Sequence, residues 1–295
     1  MARLLIVGGA GFIGSHTCIC LLNSNHKIII LDNFSNSSPL VIDKIKRLAK
    51  NPNINDDIFS LKEGDVRDKN FLENIFQEFT NKNKPIQGVI HFAGLKSVKD
   101  SITNPTSYWD TNVNGTLTLI KVMTKYNCKL MVFSSSATIY GSSDMVPIPE
   151  NAPIKPLNPY GNTKAAIEKL LSDIACCYDS QSKRSNSDSC WRIACLRYFN
   201  PVGAHPSGVI GEDPKGIPNN LFPYINQVAI GKLKFLKIFG NNWPTIDGTG
   251  VRDYIHVMDL AEGHCAALER LLISKPQLLT LNLGTGKGTS VMQVL

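Results

Sequence analysis

Short apolar runs alternate with longer stretches of helical spacing through the first two-thirds of the chain. Leu4–Val7, Lys27–Leu31, Ile58–Glu63, Gly88–Phe92, Leu130–Ser134 and Ile193–Arg197 are rich in Ile, Val, Leu or Phe and barely alternate. Runs of that kind are strands covered on both faces. Between them, Ile13–Leu22, Phe71–Phe79 and Thr116–Tyr126 read as helices. A further helix after Tyr160 sets Ile167, Leu170, Leu171 and Ile174 on one face. Strand alternating with helix predicts an α/β fold with a doubly wound parallel sheet. The polar stretch Asp179–Ser189 predicts a surface loop.

The pattern changes after about Asn200. Pro201, Gly203, Pro206, Gly208, Pro214, Gly216 and Pro218 crowd together, and helical and short apolar pieces follow. This predicts a smaller second lobe, built from loops, at the carboxyl ends of the strands. The last residues, Gly288–Leu295, begin like a capped amphipathic helix and stop within about two turns. They are read as a truncated tail, with a short final helix as the other possibility.

Composition adds exclusions. The 295 residues are 43% hydrophobic and 19% charged, the balance of an ordinary globular chain. The net charge is +7, with lysines and arginines scattered and no basic arm, so nucleic acid is not an expected partner. No apolar run approaches the roughly 18 residues of a membrane span, and the short apolar start is a strand and no signal peptide. None of the 8 cysteines forms a C-x-x-C pair and the 6 histidines show no H-x-x-x-H or H-x-H spacing. Reduced cysteines in a cytoplasmic protein without a metal site are therefore expected.

Gly8-Gly-Ala-Gly11-Phe12-Ile13-Gly14 follows the first strand and opens a helix. Glycines there permit a tight turn, a close approach to a pyrophosphate and close helix packing, and the helix N-terminus faces the phosphates. The second strand ends in Asp32, 18 residues beyond Gly14, suited to accept from both ribose hydroxyls and to repel a 2′-phosphate. No arginine follows in Asn33-Phe34-Ser35, so NAD is favoured over NADP. The fold expected is thus a Rossmann-type doubly wound sheet over 1–199, with a substrate-binding lobe over 200–295.

The reactive candidates follow the fifth strand. Ser134-Ser135-Ser136 ends it, and Tyr160 and Lys164 stand four apart on the next helix, on one face. A free tyrosine near pKa 10 is a poor base at neutral pH. An ammonium about 4 Å away at an effective dielectric near 20 is worth roughly 4 kcal/mol, about three pKa units. Tyr160 is therefore expected to work as a phenolate base, helped by a positive nicotinamide ring, with Ser136 orienting a substrate hydroxyl.

The glycine turn, the serine cluster and Tyr160-x-x-x-Lys164 resemble the extended short-chain dehydrogenase/reductase superfamily. Longer strings resemble one family within it, the UDP-glucose (UDP-galactose) 4-epimerases. They are His91-Phe-Ala-Gly-Leu-Lys96, Asn112-Val-Asn-Gly115, Ser134-Ser-Ser-Ala-Thr-Ile-Tyr-Gly141, Leu196-Arg-Tyr-Phe-Asn-Pro-Val-Gly-Ala-His-Pro206, Ile217-Pro-Asn-Asn-Leu221 and Gly248-Thr-Gly-Val-Arg-Asp-Tyr-Ile-His256. The resemblance implies a tightly held NAD, a transient 4-keto sugar that turns over in the pocket, and a homodimer through the helices near Thr106–Tyr126 and Pro159–Tyr178.

It also implies site residues. Asp32, Asn33, Asp65, Val66, Phe92, Ala93, Lys96, Asn112, Ser134, Tyr160, Lys164 and Phe199 would line the cofactor beside the glycine turn. Ser136, Thr138, Tyr160, Asn200, Asn220, Leu221, Phe239 and Arg252 would meet the UDP-sugar. Arg252 offers a planar fork for a diphosphate, against the alternative of an ion pair with Asp253. Asn112 has an alternative as a helix-capping amide, and His256 and Asp259 are expected to set local structure. The family continues some tens of residues further, with another arginine and an acid that grip UDP and a residue that limits sugar size. An N-acetylhexosamine or pentose substrate, or an inactive fragment, therefore stays open. A 4,6-dehydratase is disfavoured, because Ser136 is followed by Ala137-Thr138-Ile139 and no carboxylate.

Overall fold

The computed structural model describes residues 1–295 except 144, 182–189, 215–217 and 219, and it leaves out the side chains of 176–181. Most of the expected loop Asp179–Ser189, and Ile217 and Asn219 of the expected substrate string, lie outside the described residues.

The elements run β1 (Arg3–Val7), α1 (Phe12–Asn23), β2 (Lys27–Asp32), α2 (Leu40–Leu48), β3 (Phe59–Glu63), α3 (Lys69–Asn81), β4 (Gly88–His91), α4 (Val98–Thr103), α5 (Pro105–Tyr108), a π-helical turn (Trp109–Asn114) and α6 (Gly115–Lys125). They continue with β5 (Leu130–Ser136), a 3-10 turn (Ala137–Tyr140), α7 (Pro159–Gln181), β6 (Arg192–Tyr198), β7 (Asn200–Val202), α8 (Leu221–Ala229), β8 (Val251–His256), α9 (Val257–Ile273), β9 (Gln277–Leu283), β10 (Gly288–Ser290) and α10 (Val291–Val294).

Seven strands form one parallel sheet in the order β3-β2-β1-β4-β5-β6-β9. Every residue of β1, β4 and β5 is buried, as their apolar centres require, and the polar residues Arg3, His91 and Ser134–Ser136 at their ends are buried with them. Alternate side chains feed two cores. Leu4, Ile6, Ile28, Ile30, Val132 and Leu196 pack with α1, α2 and α9. Leu5, Val7, Ile29, Leu31, Met131, Phe133 and Ile193 pack with α3, α6 and α7. Each fully buried Leu or Ile contributes about 1.5–3 kcal/mol, so both faces are fixed before any site chemistry is considered. The chain order reverses between β1 and β4. At such a switch point, open α/β sheets form a crevice beyond the strands' carboxyl ends.

Two expectations need correction. The division at 199/200 does not follow the sheet, because β9 pairs with β6 throughout, Arg192–Tyr198 against Gln277–Leu283. With it, α9 packs Ala267, Leu268 and Leu271 into the core beside α1. The chain visits the second lobe and then returns to the sheet. The lobe itself is also more than loops, since β10, β8 and β7 make a second, three-stranded sheet. The short final helix does form as α10, where Ser290 and Gln293 make a reciprocal capping box. No helix among the described residues is long and apolar enough to cross a membrane.

Candidate active site

The first wall of the crevice is the glycine turn. Gly8 has φ +81°, and a Cβ there would come within 2.6 Å of the Ala93 nitrogen. At Gly14 a Cβ would stand 2.3 Å from the Gly8 carbonyl oxygen, so α1 can pack on its own loop only as glycine. Gly11, at the α1 N-cap, has no side-chain cap, and a Cβ there meets only the Gly8 oxygen at 3.4 Å. An open cradle therefore lies before the helix. The N–H groups of Phe12, Ile13 and Gly14 belong to the first turn and have no carbonyl within the helix. Orphan donors and the helix dipole together suit a diphosphate.

Asp32 ends β2 as expected, but its carboxylate is already busy. Oδ2 accepts from the Ala10 N–H at 2.9 Å. Oδ1 accepts from the Phe34 N–H and from the Ser37 hydroxyl, both at 2.9 Å. Of about four lone-pair positions, these contacts leave roughly one for a ribose hydroxyl, against the two expected. Ser37 escaped the sequence reading, because nothing in its surroundings marks it. Next to Asp32, Asp65 is hydrogen-bonded to Asn33 and grips Arg67 through Nε at 3.0 Å and Nη2 at 2.7 Å. These contacts hold its carboxyl below the usual range. Val66 is buried in the core behind them.

Phe92 and Ala93 donate from their backbone N–H groups to the Val7 oxygen at 2.7 and 3.0 Å, which brings the end of β4 against the glycine turn. Asn112 lies on the π-helical turn and is 1% exposed. Its Oδ1 accepts from the Leu95 N–H at 2.8 Å. Its Nδ2 donates to the Leu95 oxygen at 3.0 Å and to Thr163 Oγ1 at 3.1 Å. Both amide hydrogens are used between two chain segments, and Oδ1 keeps one acceptor position.

Ser134, Ser136, Thr138, Tyr160 and Lys164 meet where β5 ends and α7 begins. Ser136 Oγ donates to Thr138 Oγ1 at 3.0 Å, and the Ser136 side chain is hydrogen-bonded to Tyr160. Ser134 Oγ contacts the Tyr198 hydroxyl. Lys164 Nζ donates to the Ser134 carbonyl at 2.7 Å and lies 4.8 Å from the Phe133 ring centre. The expected direct effect of Lys164 on the phenol is not seen. Burial pushes Tyr160 up to about 12, opposed by the Ser136 hydrogen bond, and lowers Lys164 to about 8. The resting pair is a neutral phenol beside a lysine that titrates near neutrality.

On the second lobe, Asn200 pairs in register with Tyr254, two residues from Arg252 on β8. Arg252 is exposed and donates to the Val251 oxygen at 2.9 Å. Asp253 accepts instead from Thr285 and Gly286, so the alternative ion pair between these neighbours does not form. Asn220 sits at the α8 N-cap, followed by half-buried Leu221. Its Nδ2 donates to Glu212 Oε1 at 2.7 Å, and Lys96 reaches the same oxygen at 3.0 Å. Glu212 thus joins a residue expected on the cofactor side to one expected on the substrate side, a partner no spacing announced. Phe199 packs near Gly284, whose Cβ would meet its ring at 2.8 Å. Phe239 is 85% exposed and is not brought into the site. His256 caps α9, accepting from the Met258 N–H, as expected. Among the described residues no cluster of His, Cys, Asp and Glu could hold a metal.

Comparison with known proteins follows the same lines. The model of the NAD dependent epimerase/dehydratase family matches residues 4–284. A UDP-glucose 4-epimerase of Bacillus subtilis is 49% identical over 99% of this chain and 80% of its own length. A bifunctional UDP-glucose 4-epimerase and UDP-xylose 4-epimerase of Arabidopsis thaliana is 49% identical over 99% of this chain and 79% of its own. The crystal structure of UDP-glucose 4-epimerase from Bifidobacterium longum, in complex with NAD+ and UDP, superposes with a TM-score of 0.88 at 46% identity, covering 99% of this chain and 81% of that one.

Proposed function

The chain belongs to the NAD dependent epimerase/dehydratase family, and on that footing we propose that it is an NAD-dependent isomerase interconverting UDP-galactose and UDP-glucose. The observation that carries this is the meeting of Ser136, Tyr160 and Lys164 beside the glycine cradle, in a chain 49% identical over 99% of its length to a UDP-glucose 4-epimerase.

The cofactor fits the residues present. The Gly8–Gly14 turn and the first N–H groups of α1 suit its pyrophosphate. The remaining acceptor capacity of Asp32 suits a ribose hydroxyl, with Asn33, Asp65 and Val66 bordering the adenine side. Phe92, Ala93, Lys96 and Phe199 border the nicotinamide side. When bound, NAD supplies an acceptor that takes a hydride from the sugar C4 and gives it back.

The protein's own part is proton handling and orientation. Tyr160 accepts the proton of the sugar 4-hydroxyl and later returns it. Ser136, bonded to that phenol, holds the sugar hydroxyl in line, and by turning its hydroxyl from Thr138 to the phenolate it lowers the cost of ionising it. Lys164, tied to the Ser134 carbonyl, supplies a buried positive charge that favours the phenolate. Asn200, Asn220, Leu221 and Arg252 hold the UDP end. Binding energy at this remote group retains the sugar while the 4-keto intermediate turns over. The same reading makes the protein a cytoplasmic homodimer. Exposed Ile102 and Trp109 on the α4–α6 side support the dimer, and the six free cysteines described support a reducing compartment.

The test is incubation of the purified chain with UDP-galactose, without added cofactor, followed by chromatography. UDP-glucose is the expected product. Its absence from protein that carries stoichiometric NAD would reject the assignment.

A further inference from the structure

One titratable group near the catalytic pair has no part in the scheme above. Glu168 lies on α7 one turn beyond Lys164, so Tyr160, Lys164 and Glu168 share a helix face. It is 7% exposed. Three consecutive β5 residues answer this face. Ser136 is bonded to Tyr160, the Ser134 carbonyl takes the Lys164 ammonium at 2.7 Å, and the Ser135 hydroxyl donates to Glu168 Oε1. From β6, Arg197 forks onto the carboxylate, Nη2 to Oε2 at 2.6 Å and Nε to Oε1 at 3.0 Å. Its Nη1 goes on to the Tyr140 hydroxyl at 2.9 Å and the Glu150 carbonyl at 2.8 Å.

We propose that Glu168 is a positioning residue for the Tyr160–Lys164 pair, locking α7 onto β5 through Ser135 and Arg197 and holding Lys164 as the ammonium ion. This rests on the reading of Tyr160 and Lys164 as the reacting pair. A buried ammonium loses hydration, and a buried carboxylate nearby is what restores the charged form. The balance of groups agrees. Burial lowers Lys164, and the Glu168 charge is the one influence raising it. The other groups around the pair are His91 on β4, which is kept neutral by burial, Cys195 and Tyr198 on β6, whose burial favours their neutral forms, and Tyr108 on α5 beside Tyr160. None of these supplies a negative charge. Arg197 is the only other cation here among the described residues, and it is itself engaged by Glu168.

A core ion pair without this role would stabilise the fold and leave the lysine untouched, which separates the two cases. The experiment is a pH titration by NMR of protein labelled with 13C at lysine Cε, the Lys164 signal being identified by its loss in Lys164→Met. In Glu168→Gln the Lys164 midpoint is expected to fall by about one pH unit. Ser135→Ala, which keeps the charge, should leave it in place. If Glu168→Gln does not fold, Glu168→Gln/Arg197→Met removes both buried charges together, and a smaller downward shift is expected, because the lost Arg197 cation partly offsets the lost carboxylate. A midpoint unchanged in the folded variant overturns the proposal. The titration needs no turnover. Failure of the unaltered chain to convert UDP-galactose would count against the epimerase reading alone.

Discussion

The Lys164 ammonium donates to the Ser134 carbonyl at 2.7 Å, while it stands 6.0 Å from the centre of the Tyr160 ring. The lysine is therefore anchored to the strand carbonyl and not to the phenol, and in the proposed reaction it serves the phenolate by its charge alone. That charge has a pH window. Burial lowers Lys164 to about 8, so the ammonium is complete well below pH 8 and disappears as pH rises through it. Turnover of UDP-galactose is expected to fall on the alkaline side of pH 8. Lys164→Met should lower kcat by about 10²-fold, in the range of a lost acid–base contribution, and remove that limb. A pH–rate profile of both proteins checks this, and an undiminished variant would refute it.

Gly14 stands where α1 touches its own loop. A Cβ there would lie 2.3 Å from the Gly8 oxygen and 2.8 Å from the Gly9 Cα. Both are backbone atoms and cannot swing aside. Gly14→Ala must push the helix away from the turn, which widens the cradle and breaks its packing. We expect a loss of about 2–3 kcal/mol, the cost of overpacking a tight site, together with loss of bound NAD. Gly11→Ala is the contrast, because its Cβ meets only one atom, at 3.4 Å. That variant should stay folded and yet bind NAD more weakly, since its new methyl occupies the cradle. Calorimetric melting and nucleotide released on denaturation distinguish the two.

The sheet was legible because β1, β2, β4, β5 and β6 are continuous apolar runs that little else in the chain imitates. The glycine turn and Tyr160-x-x-x-Lys164 were legible because local spacing alone brings those residues together. The return of the chain to the sheet was hidden. Gln277–Leu283 makes a half-buried edge strand, and the proline- and glycine-rich second lobe and α9 separate it from the other strands of the sheet. The partners that cross between elements were hidden for the same kind of reason. Glu212 between Lys96 and Asn220, and Ser37 on Asp32, join positions that no local periodicity relates. Glu168 is the exception, since its step of four from Lys164 was available in the sequence. The burial of Tyr160, which raises it to about 12, was hidden because spacing gives the distance along a helix but not the desolvation.

Asn112 ties two segments through one carboxamide. It meets both backbone polar groups of Leu95, and it reaches Thr163, whose hydroxyl donates to the Tyr160 carbonyl at 2.7 Å. Asn112→Ala leaves the half-buried Leu95 N–H and carbonyl without their side-chain partners. The expected cost is about 1 kcal/mol, the low end of the penalty for a lost partner at a site that water can partly reach. Turnover should fall as well, because the first turn of α7 loses its tie to the loop that carries Lys96. Asn112→Asp keeps the acceptor for the Leu95 N–H but turns a carboxylate oxygen toward the Leu95 carbonyl where a donor stood, so it should cost at least as much as Asn112→Ala. Denaturant unfolding and the UDP-galactose assay report the two effects separately.

Three buried histidines make the fold sensitive to mild acid. Burial lowers His16 to about 4, His91 to about 3 and His264 to about 4. The contacts explain why the rings stay neutral. The Thr116 hydroxyl donates to the Asn112 carbonyl, so the His91 Nε2–H must donate to Thr116, and the bare Nδ1 has no partner among the described residues. His264 donates from Nδ1 to the Leu260 carbonyl, and its Nε2 has none among them either. A proton added to either bare nitrogen would be a buried charge without an acceptor. In the unfolded chain all three take up protons near pH 6.5. Between about 6.5 and 4 the unfolded state therefore binds more protons, and stability falls as pH falls. Each histidine contributes a slope approaching about 1.4 kcal/mol per pH unit below its unfolded pKa. Denaturant melts at pH 7.5, 6 and 5 should show this decline, and His264→Phe should remove about one third of it. A free energy of unfolding that stays level from pH 7.5 to 5 would contradict the neutral, buried state of these rings.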